Sequence, residues 1–242
     1  MYSKLRLLLA TLASVGIVAM AHAQAPSPNQ REDTEQAKIL QDGANLLRAR
    51  KAQEAITAYF DRVIAHYESK YREEDRQIYC TRNTAEMLGV LAKHAVETPQ
   101  KGAIAISSLW CDAHYLKAYA HIELAQIAEA KNSLEQAVSR APFNSQYISE
   151  LAVIYLKEKN WSKALETYQA AEKVSDVAPD EPSKRQQLAR ARRGMGYALI
   201  ELKRLDEAEA KYTQCLDADP NDSLSRNQIE YIRRLRGSKS TQ

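Results

Sequence analysis

HYLKAYAHIELAQIAEAKNSLEQAVSRAP (114–142), ISELAVIYLKEKNWSKALETYQAAEKV (148–174) and RRGMGYALIELKRLDEAEAKYTQCLDADP (192–220) are three versions of one pattern. Each places apolar residues three and four apart through two successive stretches, the spacing of two amphipathic helices separated by a short turn. Ala130, Ala164 and Ala208 mark the same point in each; the first two are 34 residues apart and the last two 44, which is 34 plus an insertion of ten around Asp176 to Gln186. Pro142 and Pro220 stand at the same offset after Ala130 and Ala208, so the closing proline keeps register.

Composition agrees with helices throughout. Seven Gly and seven Pro in 242 residues are too few for a protein of many short strands and tight turns, while 27% charged and 45% hydrophobic residues disfavour disorder and multiple membrane spans.

With Leu151-Ala152-x-x-Tyr155, Ala164, Tyr168 and Ala171 in one unit, the chain resembles the tetratricopeptide repeat, a 34-residue helix-turn-helix module. Met195-Gly196-x-x-Leu199, Ala208, Tyr212 and Cys215 occupy the same places in the next unit, and Ala118, Ala130, Leu134, Ala137 and Pro142 in the one before. Small residues allow the two helices to cross closely, and stacked hairpins cover each other's open face. The resemblance implies an all-α, right-handed α-solenoid with repeats at about 111–144, 145–178 and 189–222 and a capping helix to residue 236, N-capped by Asn221 or Asp222.

A poorer repeat begins near Gln36, with Gly43, Leu46, Ala55, Tyr59 and Val63 at matching offsets. Between it and the regular array, residues 72–110 follow no repeat. A helix is expected from Asn83-Thr84-Ala85-Glu86 to about Val96, and the flanking stretches 77–80 and 103–106 read as loop, as extensions of neighbouring helices, or as two short parallel strands joined by that helix.

Residues 1–23 have Lys4 and Arg6, an apolar run from Leu7 to Ala21, and Ala21-His22-Ala23, the layout of a signal peptide cleaved after Ala23. The run is shorter than the roughly 20 residues that span a bilayer, so an uncleaved anchor is the lesser alternative. A periplasmic location and an exported bacterial protein are expected, without an integral membrane span in the mature chain. Removing the leader leaves 32 basic against 31 acidic residues, and such a balance gives no reason to bind nucleic acid. Residues 24–35 are expected to be a flexible lead-in and 237–242 a disordered tail. The charge-dense runs 70–76 and 234–239 read as solvated surface.

No phosphate loop, nucleophile elbow or zinc-protease motif is present, so the sequence reads as non-catalytic and without a cofactor or metal. Cys80 and Cys111 bracket the irregular segment and are the best pair for a disulfide in an oxidising compartment, whereas Cys215 takes a small packing position. A redox- or metal-handling protein centred on Cys80, Cys111, His114 and His121 is one alternative, though His114 and His121 fall where packing aromatics are usual. A self-associating structural protein is another.

In stacked repeats the first helix of each hairpin lines the concave side, where the resemblance implies a protein or peptide partner, here from the cell envelope. The register puts Tyr115, Tyr119, Ser149, Val153, Arg190, Arg193, Tyr197, Asn227 and Tyr231 on that side, with Asp112, Gln146 and Leu224 in the adjoining row. Arg190 and Arg193 are expected to offer forked donors to a ligand. The family's clamp for a C-terminal carboxylate is not reproduced, since Val153 stands where its Asn would be.

Overall fold

The computed structural model describes residues 28–239, so the leader read at 1–23 lies outside the described residues. Helix α1 (Pro28–Arg48) pairs with a second helix built from α2 (Ala52–Ala55), a π-turn at Ile56–Phe60 and α3 (Asp61–Lys70). Strand β1 (Gln77–Thr81), α4 (Thr84–Glu97) and β2 (Ala103–Ser107) follow. Then come the hairpins α5 (Leu109–Glu123)/α6 (Ile127–Arg140), α7 (Ser145–Lys157)/α8 (Trp161–Lys173) and α9 (Glu181–Glu201)/α10 (Leu205–Ala218), and the last helix, α11 (Ser223–Lys239). The result is an all-α solenoid of the tetratricopeptide type carrying one small strand–helix–strand insertion.

The four hairpins share one turn. Arg50, Ala125, Lys159 and Lys203 all adopt the left-handed conformation, with φ between 59° and 63°. In each, the left-handed N–H bonds three residues back and the next N–H five residues back, as in Lys159 to Leu156 and Asn160 to Tyr155. This is the Schellman closure, which satisfies carbonyls that the ending helix leaves open. Its presence at Arg50, with Lys51 N–H bonded to the Leu46 carbonyl, shows that the irregular first hairpin is built like the rest.

Small residues set the crossings. Ala118, Ala130, Ala152, Ala164, Ala198 and Ala208 are fully buried. A Cβ at Gly196 would lie 2.5 Å from the Tyr212 ring and one at Gly43 would lie 2.6 Å from Phe60, so both crossings are closer than any side chain permits.

The stretches 77–80 and 103–106 form the parallel strand pair, the third of the three readings above, in register from Gln77 opposite Ala103 to Thr81 opposite Ser107. Ile78, Cys80 and Ile106 turn to the solenoid core beside Trp110, while Tyr79 turns to α4, its hydroxyl 3.1 Å from His94 Nδ1. Asn83 caps α4 by accepting from the Glu86 N–H. Tyr67, Tyr71 and Trp110 form a cluster of near-parallel rings with centroids 5.9–6.4 Å apart, and the Arg140 guanidinium lies 4.4 Å from the Trp110 ring centre.

Two expectations about the ends change. Residues 28–35 are not a flexible lead-in: α1 starts at Pro28, and Glu32 holds His66 and Lys70 while Asp33 accepts from Ser107. These contacts reach far along the chain and give polar residues a helix that their composition does not predict. At the other end α11 continues through Lys239, leaving only 240–242 outside the described residues. The ten-residue insertion becomes a short turn, Ser175–Val177, and an early start for α9 at Glu181, where Asp180 caps by accepting from the Ser183 N–H.

Candidate functional site

The first helices of successive hairpins line a groove. One part of it, a pocket of about 340 Å³, has apolar walls from Ala37, Leu40 and Ala44 of α1 and Leu109 and Leu116 of α5. Polar groups close it: Asp112 and Tyr115 of α5, Asn144, Gln146 and Tyr147 at α7, and Arg82 from the turn after β1. A smaller pocket continues from Arg82 and Gln146 to Ser183, Gln186, Gln187 and Arg190 of α9.

Arg82 reaches this face because three contacts fix its loop. The Cys80–Cys111 disulfide ties β1 to α5, with the two Cα atoms 6.2 Å apart. Asn83 Nδ2 donates to the Val177 carbonyl in the α8–α9 connection at 3.1 Å. Arg82 Nε and its backbone N–H donate to the two oxygens of Glu86, a carboxylate only 2% exposed.

A chain of hydrogen bonds crosses the groove floor. Gln146 Nε2 donates to the Tyr115 hydroxyl at 2.6 Å, Tyr115 donates to Tyr119 at 3.3 Å, and Tyr119 donates to Glu150. Glu150, on α7 and 4% exposed, also holds Arg190 of α9, so one carboxylate joins three hairpins. Burial and then the Glu150 charge raise the Tyr119 hydroxyl far above the usual tyrosine range. Arg190 is held above its ordinary value: burial acts to lower it, and Glu150 reverses that. Asp112 accepts from Ser108 Oγ and the Tyr147 hydroxyl, yet burial keeps its carboxyl above the usual range.

The structure sorts the residues expected on the concave side. Tyr115 and Arg190 line the groove, and Tyr119 supports its floor. Ser149 does not: it is fully buried with its Oγ unpartnered, because α7 lies between α5 and α9 and that turn faces protein. Val153 packs against the apolar cluster that holds Ala164, Leu165 and Met195. Tyr197, Asn227 and Tyr231 are exposed at the far end, Tyr197 edge-on to Trp161.

Arg190 and Arg193 are not the free cations expected, since Glu150 and Asp222 neutralise them, the latter pair at 2.9 Å. Glu150 comes from the preceding repeat and Asp222 from the start of the capping helix, where spacing does not reveal them. Sequence reasoning also misses Arg82 and Gln41 as groove residues. For Glu150 a signal is available, a charged side chain inside the otherwise uncharged run Ile148 to Val153.

The cysteine–histidine group does not assemble. Cys80 and Cys111 are joined to each other, His121 Nδ1 meets Gln126 at 2.7 Å, and His114 is buried with Nε2 unpartnered. Burial, aided by Arg140 and Lys117, pushes His114 down to about 3. Among the described residues no group of three or more His, Cys, Asp or Glu is placed to hold a metal, and no helix is long and apolar enough to cross a membrane. Cys215 is a free, buried thiol.

Residues 115–182 and 189–222 match tetratricopeptide repeat family profiles. Among solved structures the chain is similar to MamA 41-end from Desulfovibrio magneticus RS-1, with TM-score 0.54 and 14% identity over 86% of this chain and 89% of that one. MamA MSR-1 C2 gives TM-score 0.50 and 16% identity over 86% and 91%. No curated protein sequence matches the chain. These likenesses define the class by fold: a tetratricopeptide-type repeat scaffold.

Proposed function

We propose that the protein is a non-catalytic adaptor that holds an extended segment of another protein of the cell envelope in its concave groove. One observation carries the reading: two adjoining pockets that share Arg82 and Gln146 run from α1 to α9, the first with an apolar wall and both with paired polar groups. An apolar side chain of the partner would fill the cleft between α1 and α5, and Gln146, Tyr115 and Arg190 would meet its polar atoms. Export to the periplasm is supported by the layout of residues 1–23 and by the Cys80–Cys111 disulfide, a bond that persists in oxidising compartments.

A photo-crosslinking amino acid in place of Leu116, activated in growing cells, tests this. A discrete partner band is expected, and Tyr115→Ala with Gln146→Ala should remove it. No discrete band, or one untouched by the double variant, would reject the groove as the binding surface.

A further inference from the structure

The inserted strand pair leaves one edge open. β1 is the strand that packs against α5 and α6, whereas β2 has no third strand beside it among the described residues. The ladder decides which backbone groups are left over. Gln77 stands opposite Ala103, and its N–H donates to the Gly102 carbonyl at 2.8 Å. In a parallel pair such a residue bonds the neighbours on either side of its opposite number, so Gly102, Ile104 and Ile106 serve β1. The N–H and C=O groups of Ala103, Ala105 and Ser107 point the other way, and none of them bonds another segment of the described chain.

Nothing guards this edge. Exposed edges are ordinarily blunted by charge, proline or a bulge. Between Gly102 and Ser108 the sequence has no charged residue and no proline, and the register runs unbroken from Ala103 to Ser107. A cavity of about 180 Å³ lined by Ala105, Ile106 and Ser107 with Lys70 and Tyr71 shows that α3 does not close over this stretch.

Two observations choose the occupant. The strand is its own complement: an antiparallel pairing with a two-fold axis at Ala105 sets Ala105 opposite Ala105 and Ala103 opposite Ser107 of the other copy. Every outward residue then falls in a pair that exchanges two hydrogen bonds, and no outward group is left over. Charge agrees with that direction. Lys101, just before the strand, forms no ion pair among the described residues. Asp33, beside the other end of the strand, receives only the Tyr67 and Ser107 hydroxyls, at 3.3 and 3.2 Å. Antiparallel pairing carries Lys101 of each copy to the Ser107 end of the other, and so toward its Asp33.

We propose that β2 pairs edge to edge with β2 of a second copy of this chain, joining two sheets into one of four strands about a two-fold axis at Ala105. Ala103, Ala105, Lys101 and Asp33 do not line the groove, so self-pairing and capture of a partner in the groove stand or fall separately.

Sedimentation velocity of the purified, oxidised protein over a concentration series tests this. A concentration-dependent dimer is expected. Ala105→Pro removes an N–H that β1 does not use, as edge prolines do, and should weaken the dimer at least about tenfold through the two bonds it deletes. Lys101→Glu should weaken it as well, and Lys101→Glu with Asp33→Lys should restore it; this pair serves if Ala105→Pro unfolds. Register is read by thiol pairing under mild oxidation: Ala105→Cys faces its own copy and should form a disulfide-linked dimer, whereas Ala103→Cys faces Ser107 and should not. A monomer at every concentration, a dimer untouched by both Ala105→Pro and Lys101→Glu, or equal linkage through Ala103→Cys and Ala105→Cys would overturn the pairing.

Discussion

Cys80 and Cys111 join the strand that leads into Arg82 to the helix that carries Asp112, so the disulfide anchors two groups that line one cleft. It closes a loop with a sequence separation of 31, for which loop-closure entropy alone gives about 3–4 kcal/mol. Cys80→Ser with Cys111→Ser should therefore lower unfolding free energy in urea by about that amount. The exchange protection of the β1 amides should fall more than that of α10, which is remote from the bond. Equal stability of variant and wild type would show that packing around Trp110 holds the insertion without the bond.

His114 makes the fold acid-sensitive. Its folded pKa is about 3 against 6.5 ordinarily, so below pH 6.5 the unfolded chain takes up a proton that the folded chain refuses. The stability that a neutral His114 supplies is complete above pH 6.5 and is lost as pH falls toward 3. Between pH 7 and 5 the loss should be about 2 kcal/mol. His114→Phe should lose correspondingly less over the same interval in urea titrations. Identical pH dependence would mean that His114 becomes exposed and protonated without unfolding.

Why some of this was readable and some was not follows from the range of the forces. The hairpins repeat because crossings at Ala130, Ala164 and Ala208 need a small residue at a fixed step, and a fixed step is visible in sequence. The groove's polar floor has no such period. Glu150 pairs backward with Tyr119 in the preceding repeat and forward with Arg190 in the following one, and the forward interval is lengthened by the insertion before α9. Arg82 becomes a groove residue only once β1 is tied to α5 and to the α8–α9 connection, which neither composition nor spacing discloses.

The Glu150–Arg190 pair should be strongly coupled. Glu150→Leu strands a guanidinium that is 38% exposed and can turn partly to water, so a cost of about 1–3 kcal/mol is expected rather than that of a fully buried charge. Glu150→Leu with Arg190→Leu should cost less than the two single changes together, because the double variant leaves no unpaired charge. Strict additivity in a double-mutant cycle would show that the two side chains do not interact in solution.

The shared turns offer a gain in stability. Lys159 and Lys203 hold φ of 59° and 63°, where a Cβ is crowded and glycine is not. Lys159→Gly and Lys203→Gly should each raise the unfolding free energy measured in urea, by about 0.5–1 kcal/mol after the greater entropy of an unfolded glycine is subtracted. Neither lysine is in the groove, so crosslinking from Leu116 should not change. Destabilisation by both would mean that the Schellman closure is not kept in solution.

The reverse change should be damaging at the helix crossings. A Cβ on Gly194 would lie 2.2 Å from the Tyr168 ring, and one on Gly196 would lie 2.5 Å from the Tyr212 ring. Tyr168 and Tyr212 are both buried, so neither ring can swing into solvent to make room. Gly196→Ala should cost about 1–3 kcal/mol despite the better helix propensity of alanine, because overpacking outweighs the roughly 1 kcal/mol that the propensity contributes. Shrinking the opposing ring should recover part of the loss: Gly196→Ala with Tyr212→Leu is expected to be more stable than the two separate costs predict. The same logic pairs Gly194→Ala with Tyr168→Leu, across the interface between two hairpins rather than within one. If Gly196→Ala instead raised the melting temperature, α9 and α10 would have to cross at a greater separation than the one that brings Gly196 against Tyr212.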